Sequence, residues 1–126
     1  MRLTPGEAQL RYVEVALDER ICARGAQKGN VAASISTATT TTLVTVPAGK
    51  AIYVFGLDVT TAGAQRIQLK VGSSVVWAGN FAANGGAALC WKARARGTGE
   101  AGADLSLVTA AGVQLDVGVD YCLVDA

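Results

Sequence analysis

In the segment from Gln114 to Asp125, apolar residues alternate with mainly polar ones, a pattern typical of β-strands. Leu115, Val117, Val119, Tyr121 and Leu123 occupy alternate positions, and Gln114, Asp116, Gly118, Asp120 and Cys122 lie between them. Successive side chains of a β-strand point to opposite faces, so this pattern predicts a half-buried strand with one dry face and one wet face. Similar segments recur upstream between turn residues, which favours a β scaffold.

About eight short strands are predicted, at intervals of about ten residues, with turns between them. In chain order they span residues 31–36, 39–46, 50–60, 66–71, 74–77, 87–93, 104–109 and 114–125. No stretch after Val31 shows a helical period. The fold is therefore predicted to be all-β, a single antiparallel β-sandwich of jelly-roll-like type with an extended N-terminal arm. Gly56 is expected to mark a bulge or bend in its strand. The strand order is left open.

The predicted core is aliphatic, because 51% of the residues are hydrophobic and only 6% are aromatic. The strand pattern selects twelve core positions. They are Ile52, Val54, Leu57, Ile67, Leu69, Leu89, Leu105, Leu107, Leu115, Val117, Val119 and Tyr121.

The change in composition near Val31 predicts an N-terminal arm, residues 1–30, and a β-sandwich domain, residues 31–126. The arm is densely charged, and its apolar residues from Tyr12 to Leu17 fit a strand or a short helix equally well. It is interpreted as an element that becomes ordered on a neighbour, with a plain disordered terminus as the alternative. No apolar run is long enough for a transmembrane helix, and the N-terminus lacks the apolar segment of a secretory signal, so a cytoplasmic origin is expected.

Residues for catalysis are missing from the sequence. The chain has no histidine, which removes the commonest general base and most zinc sites. Asp116 and Asp120 are about 13 Å apart along one strand face, wider than a glycosidase pair, and are interpreted as solvated acids. Residues 97–102 have glycines spaced loosely like a phosphate loop, but they lack its strand–helix context. No enzyme activity, cofactor or metal is expected, and a net charge of +1 argues against partners that are nucleic acids or membranes.

Three cations alternate with small or aromatic residues in one segment. Lys92, Arg94 and Arg96 would line one face of an extended strand. One interpretation is a docking stripe for an acidic partner surface. The other is an ordinary charged edge that discourages aggregation between strands.

Several of the turn and core motifs, taken together, resemble those of a known group of proteins. The motifs are Pro47–Val54, Gly72-Ser73-Ser74, Phe81–Gly86, Gly99–Leu107 and Gly118–Tyr121. Together they resemble small virion accessory proteins of tailed bacteriophages, most of all capsid decoration (cement) proteins with a β-sandwich fold. The resemblance covers about two-thirds of the chain, and the aromatic residue expected after Asn-Gly-Gly is Trp91. The arm and the cysteines have no counterpart in it.

The resemblance implies a structural virion protein that decorates and stabilises a phage capsid by bridging capsomers. The expected partners are the major capsid protein and further copies of the chain, with a trimer favoured. The expected location is the capsid surface, after assembly in the host cytoplasm. The alternative is a receptor- or glycan-binding module of a head or tail fibre, although the loops carry few of the aromatic residues that such modules expose.

The three cysteines, Cys22, Cys90 and Cys122, are far apart in the sequence. Cys22 lies in the arm, and the alternation places Cys90 and Cys122 on outer strand faces. Free cysteines are usually buried, and a released particle meets an oxidising medium. Cys22 is therefore predicted to pair with Cys90 or Cys122 of a neighbouring chain. The alternative is three unpaired thiols.

Overall fold

The computed structural model describes residues 27–91 and 95–126, which form eight β-strands. Each predicted strand is present, although some ends differ: the fifth is longer than predicted and the sixth is shorter. The strands are β1 (Gln27–Ile35), β2 (Thr40–Val44), β3 (Lys50–Thr61), β4 (Gln65–Val71), β5 (Ser74–Phe81), β6 (Gly86–Cys90), β7 (Leu105–Thr109) and β8 (Leu115–Asp125).

The strands form two four-stranded antiparallel sheets. Sheet A has the order β1-β8-β3-β6, and sheet B has the order β2-β7-β4-β5. The pairs β1/β8, β2/β7, β3/β6 and β4/β5 thus alternate between the two sheets, which is the arrangement of an eight-stranded jelly roll. The predicted all-β antiparallel sandwich of jelly-roll type is confirmed.

The hydrophobic core lies between the two sheets and consists mainly of Leu, Ile and Val. Ten of the twelve predicted core positions are buried, and Leu89 and Tyr121 are half-buried and pack against its margin. Ile67, Leu69, Leu105 and Leu107 come from sheet B, and the others come from sheet A. Inward positions of the strands alternate with outward ones, so most polar residues of both sheets lie outside. Thr61, Gln65 and Thr109 are the buried polar residues of the described strands.

One irregularity changes the phase of β3. Val54 is opposite Tyr121 and Gly56 is opposite Asp120, so Phe55 is an extra residue in the pairing with β8. Such a bulge bends the strand and increases the local twist. Of the bulge or bend predicted at Gly56, the bulge is confirmed, with Phe55 as the extra residue next to it.

The sandwich begins before the predicted boundary. β1 starts at Gln27, which is opposite Leu123 on β8, so residues 27–30 pair within sheet A although the sequence assigned them to the arm. The rest of the arm, residues 1–26, lies outside the described residues, and its role stays a prediction. Within the described ranges no helix is long and apolar enough to cross a membrane.

Candidate functional site

The outer face of sheet A carries an open groove of about 680 Å³. Strands β1, β8, β3 and β6 form it, and most of its residues are small. Asp58 and Asp116 lie in the groove, and Asp120 lies just beyond one end of it. We call Asp58, Asp116 and Asp120, together with this groove, the acidic face.

Strand pairing explains why these carboxylates come together. Three successive rows cross the sheet, each containing one aspartate. The rows are Ser34–Asp116–Thr60–Gly86, Ala32–Gly118–Asp58–Ala88 and Asn30–Asp120–Gly56–Cys90. Adjacent rows are two residues apart, or about 6.8 Å along the strands. The three carboxylates are therefore spaced in steps along the sheet rather than gathered at one point.

Two glycines make room for these carboxylates. Gly118 is directly opposite Asp58, and a Cβ atom on this glycine would overlap the Asp58 carboxylate. Gly56 is opposite Asp120, and a Cβ there would lie 2.8 Å from Asp120 Oδ2. Because neither glycine has a side chain, each carboxylate can lie across its neighbouring strand.

The acidic face is polar but carries no counter-charge. The Ser34 hydroxyl donates to Asp116 Oδ1 at 2.5 Å, and the Asn30 side-chain amide donates to Asp120 Oδ1 at 2.7 Å. Among residues 27–91 and 95–126, no Lys or Arg nitrogen lies within 4.0 Å of the three carboxylates. The same residues contain no group of three or more metal-ligating side chains. The face thus has negative charge available for a cationic partner.

The described residues contain one ion pair, and it lies away from the groove. The Lys50 ammonium is 2.6 Å from Asp125 Oδ1, where β3 pairs with the end of β8. The hydrogen bond from Lys50, together with its positive charge, holds the pKa of Asp125 below its usual value.

The predicted docking stripe is only partly described. Lys92 and Arg94 lie outside the described residues. Arg96 is exposed, and its guanidinium carbon is 5.3 Å from the centroid of the Trp91 ring, within the range of a cation–π contact.

The strand predicted to run to Ala93 ends at Cys90 instead. The reason lies on β3, where the backbone of Val54 exchanges two hydrogen bonds with Arg96 and the Phe55 carbonyl accepts from Trp91. The edge of β3 is therefore occupied by Arg96 at the point where a longer β6 would have paired.

The two described cysteines differ. Cys90 is a free, exposed thiol opposite Gly56, as its predicted outer-face position requires. Cys122 also lies on the outer face of sheet A, opposite Tyr53, but it is fully buried and disulfide-bonded. The prediction that this face exposes Cys122 is wrong, because this end of the face is shielded from solvent: Ala51, on the same face of the neighbouring strand, is buried as well. Cys22 lies outside the described residues, and pairing between chains stays a prediction.

The sequence analysis interpreted Asp116 and Asp120 as solvated acids and did not single out Asp58, so it missed the acidic face as a site. Asp116 and Asp120 stand out because they alternate with core residues on one strand. Asp58 lies on β3 and joins them only through the pairing of β3 with β8. The signal available in the sequence was a single acidic residue within an otherwise mostly apolar strand.

The comparisons with known proteins give distant structural likenesses. No protein-family model matches the sequence, and no curated protein does. A protein of the disulfide-linked pili of Bacillus endospore appendages is 12% identical with a TM-score of 0.48, covering 79% of this chain and 88% of that one. A chain of the cyanophage Pam1 capsid is 15% identical with a TM-score of 0.41, covering 78% and 84%. A chain of the virus-like particle of extra small virus from the prawn Macrobrachium rosenbergii is 15% identical with a TM-score of 0.36, covering 78% and 79%.

Proposed function

We propose that this chain is a structural virion protein that decorates and stabilises a phage capsid by bridging neighbouring capsomers. Its partners in this proposal are the major capsid protein and further copies of itself, with a trimer favoured. It acts at the capsid surface after assembly in the host cytoplasm. The similarity of the sequence motifs to decoration proteins supports the phage assignment.

The observation that carries this proposal is the acidic face. Its carboxylates lie in steps along a paired, twisted sheet, and the groove beside them is open. Small-molecule sites are usually enclosed and mostly apolar, with a few convergent polar groups. A broad charged surface on a rigid sheet suits contact with another protein surface, where complementary charge sets orientation and partner choice.

We also infer that the chain is not an enzyme. It has no histidine to serve as a general base. Asp58, Asp116 and Asp120 are all exposed, so none has the apolar surroundings that distinguish a general acid from a neighbouring nucleophile.

The positions of the aromatic residues argue against the alternative function, a receptor- or glycan-binding module. The rings of Trp77 and Phe81 on β5 are 6.1 Å apart, and both side chains are half-buried against the core. A Cβ on Gly79 between them would be 3.0 Å from each ring. The two ring planes are tilted by 41° and both side chains pack against the core, so the pair does not form a flat platform for a sugar.

Imaging of virus particles assembled with and without this chain tests the proposal. Cryo-electron microscopy is expected to show added density over the junctions between capsomers only in particles that contain the chain. These particles should also retain their genome to a higher temperature. Density confined to a fibre tip would support the binding-module alternative, and equal thermal stability of the two preparations would contradict the stabilising role.

A further inference from the structure

The disulfide bond at Cys122 has one available partner within the chain. The chain contains three cysteines, Cys22, Cys90 and Cys122. Cys122 is disulfide-bonded, whereas Cys90 is a free thiol. The structure is that of a single copy, so elimination leaves Cys22. We propose that Cys22 and Cys122 of the same chain form a disulfide bond, which fastens the N-terminal arm to the outer face of sheet A.

The start of β1 places Cys22 within reach of Cys122. Lys28 is directly opposite Cys122 on the neighbouring strand, and β1 begins one residue earlier, at Gln27. Cys22 is five residues before Gln27, a stretch that spans at most about 17 Å when extended. A disulfide requires Cα atoms about 4.4–6.8 Å apart, and neighbouring strands are about 4.8 Å apart. The connection is therefore long enough to turn back onto the sheet, and Gly25 within it suits such a turn.

The burial of Cys122 indicates that something covers this end of the face. Cys122 and Ala51 lie on the outer face of sheet A, near the start of β1, and both are buried. Asp120 and Asp116, further along β8 on the same face, are exposed. An outward side chain is buried only where another part of the structure lies over it. A bond to Cys22 brings the end of the arm to that position.

The short connection also favours a bond within one chain over a bond to a neighbour. A short tether keeps its two ends at a high effective concentration, which a separate chain does not match. Cys90 lies on β6, at the opposite edge of sheet A from β1, and its thiol is exposed. This pairing leaves Cys90 as the thiol that is available to a neighbouring chain.

Formation of the bond is an oxidation, so it depends on the surroundings of the chain. Both S–H bonds break and one S–S bond forms, which releases two protons and two electrons. A small-molecule disulfide takes up both and is reduced to two thiols. A reducing cytoplasm keeps the two cysteines as thiols, whereas an oxidising medium lets the bond close.

The bond determines where the arm leaves the domain. Residues 1–21 then start from the outer face of sheet A, next to the acidic face, rather than from the edge strand β1. A partner bound by the arm and a partner bound by the acidic face therefore lie on the same side of the sandwich. This consequence rests on the proposed function, in which the arm contacts a neighbour, whereas the bond itself does not.

Peptide mapping of the full chain tests the bond. Cleavage after Lys and Arg by trypsin separates the three cysteines into peptides 21–24, 71–92 and 97–126. The chain is oxidised with glutathione disulfide, and its free thiols are blocked before digestion. Mass spectrometry is expected to show peptide 21–24 joined to peptide 97–126, and peptide 71–92 joined to neither. The joined species should disappear after reduction.

Isotope labelling distinguishes a bond within the chain from a bond between chains. Unlabelled and uniformly labelled chains are unfolded together in reductant, refolded and then oxidised. The joined peptides are expected to be both unlabelled or both labelled. A bond between chains would give mixed pairs as well.

Thermal unfolding measures the constraint that the bond places on the fold. The oxidised wild type should unfold about 10 °C above the Cys22→Ser variant, because the bond closes a loop that contains all but the last residues of the sandwich. Reductant should lower the melting temperature of the wild type to that of Cys22→Ser and leave the variant unchanged. Cys90→Ser is the matched control and should keep the melting temperature of the wild type.

Several results would overturn the proposal. They are a blocked thiol on peptide 21–24 of the oxidised chain, a bond from that peptide to peptide 71–92, joined peptides of mixed label, and equal melting temperatures for the oxidised and reduced wild type. None of these measurements requires a capsid. A chain that holds the bond but does not bind particles would support this pairing and contradict the proposed function.

Discussion

Asp58 and Gly118 are directly opposite each other on β3 and β8, and the Asp58 carboxylate occupies the space that a Cβ atom of residue 118 would need. The acidic face therefore depends on a residue that carries no charge. Gly118→Ala is expected to destabilise the protein by about 1–3 kcal/mol, since the added methyl group must displace the carboxylate or the strand. Chemical denaturation gives the free energy of unfolding.

Two controls identify the cause of that loss. Gly112→Ala adds a methyl group 3.7 Å from the Ser36 carbonyl oxygen and should change stability by less than about 0.5 kcal/mol. In an Asp58→Ala background most of the cost of Gly118→Ala should disappear, because the colliding group is absent. An unchanged cost in that background would place the strain elsewhere.

Leu115 tests the assignment of strand faces on β8. Its side chain is fully buried between the sheets, so Leu115→Ala should cost about 2–5 kcal/mol in lost transfer energy and a residual cavity. Val75→Ala on β5 is the matched surface control, because Val75 is 48% exposed and should lose less than about 0.5 kcal/mol. Equal losses at the two positions would contradict the core described above.

The ion pair between Lys50 and Asp125 predicts a stability contribution on the acid side. Because Lys50 lowers the pKa of the folded carboxyl, this contribution is present above the unfolded pKa, about 3.9, and is lost as pH falls through the lowered folded value. In Lys50→Gln the pKa of Asp125 should rise, as measured by NMR titration of its carboxyl carbon. Lys70→Gln on sheet B is the control, and equal Asp125 pKa values in wild type and Lys50→Gln would rule out the pair.

The arm is predicted to be a contact element rather than part of the core. Because Gln27 and Lys28 pair with β8, the deletion that tests this removes residues 1–26 only. The truncated chain should keep its β circular dichroism and its cooperative unfolding but lose binding to particles. Loss of the folded state would mean that the arm is part of the sandwich.

Cross-linking between chains is predicted to involve the cysteines after oxidation. Cys90 is free and exposed beside the acidic face, so it is the accessible thiol among the described residues. Non-reducing electrophoresis of oxidised assemblies should show bands above the monomer that disappear with reductant and in Cys90→Ser. Ala88→Ser, on the same strand face, is the matched control. Monomer bands alone in the wild type would contradict the prediction.

The sequence predicts the strands well and their partners poorly, for a physical reason. Alternation is a local property, so β8 and the core positions along it could be read from neighbouring residues. Pairing joins residues far apart in the chain, such as Asp58 and Gly118, and no local signal encodes it. The acidic face could therefore not be predicted as a site, although Asp116 and Asp120 could be placed on one face of a strand.

The wrong predictions for the exposure of Cys122 and for the end of β6 both come from using alternation alone. Alternation placed Cys122 on the correct face, but exposure also depends on what covers that face from elsewhere in the chain. Alternation likewise continued β6 through Lys92 and Ala93, although the edge of β3 was already bonded to Arg96.

The pairing of β1 with β8 also determines how the domain responds to tension. Gln27 at the start of β1 is opposite Leu123 near the end of β8, and the two strands run antiparallel from there to Ile35 and Leu115. A pull between the residue before Gln27 and the residue after Leu123 would peel the ladder open one hydrogen-bonded pair at a time. A pull between Ile35 and Asp125 would load all of those pairs together in shear. The direction of an applied force thus decides whether the pairs of β1 and β8 separate one by one or resist together.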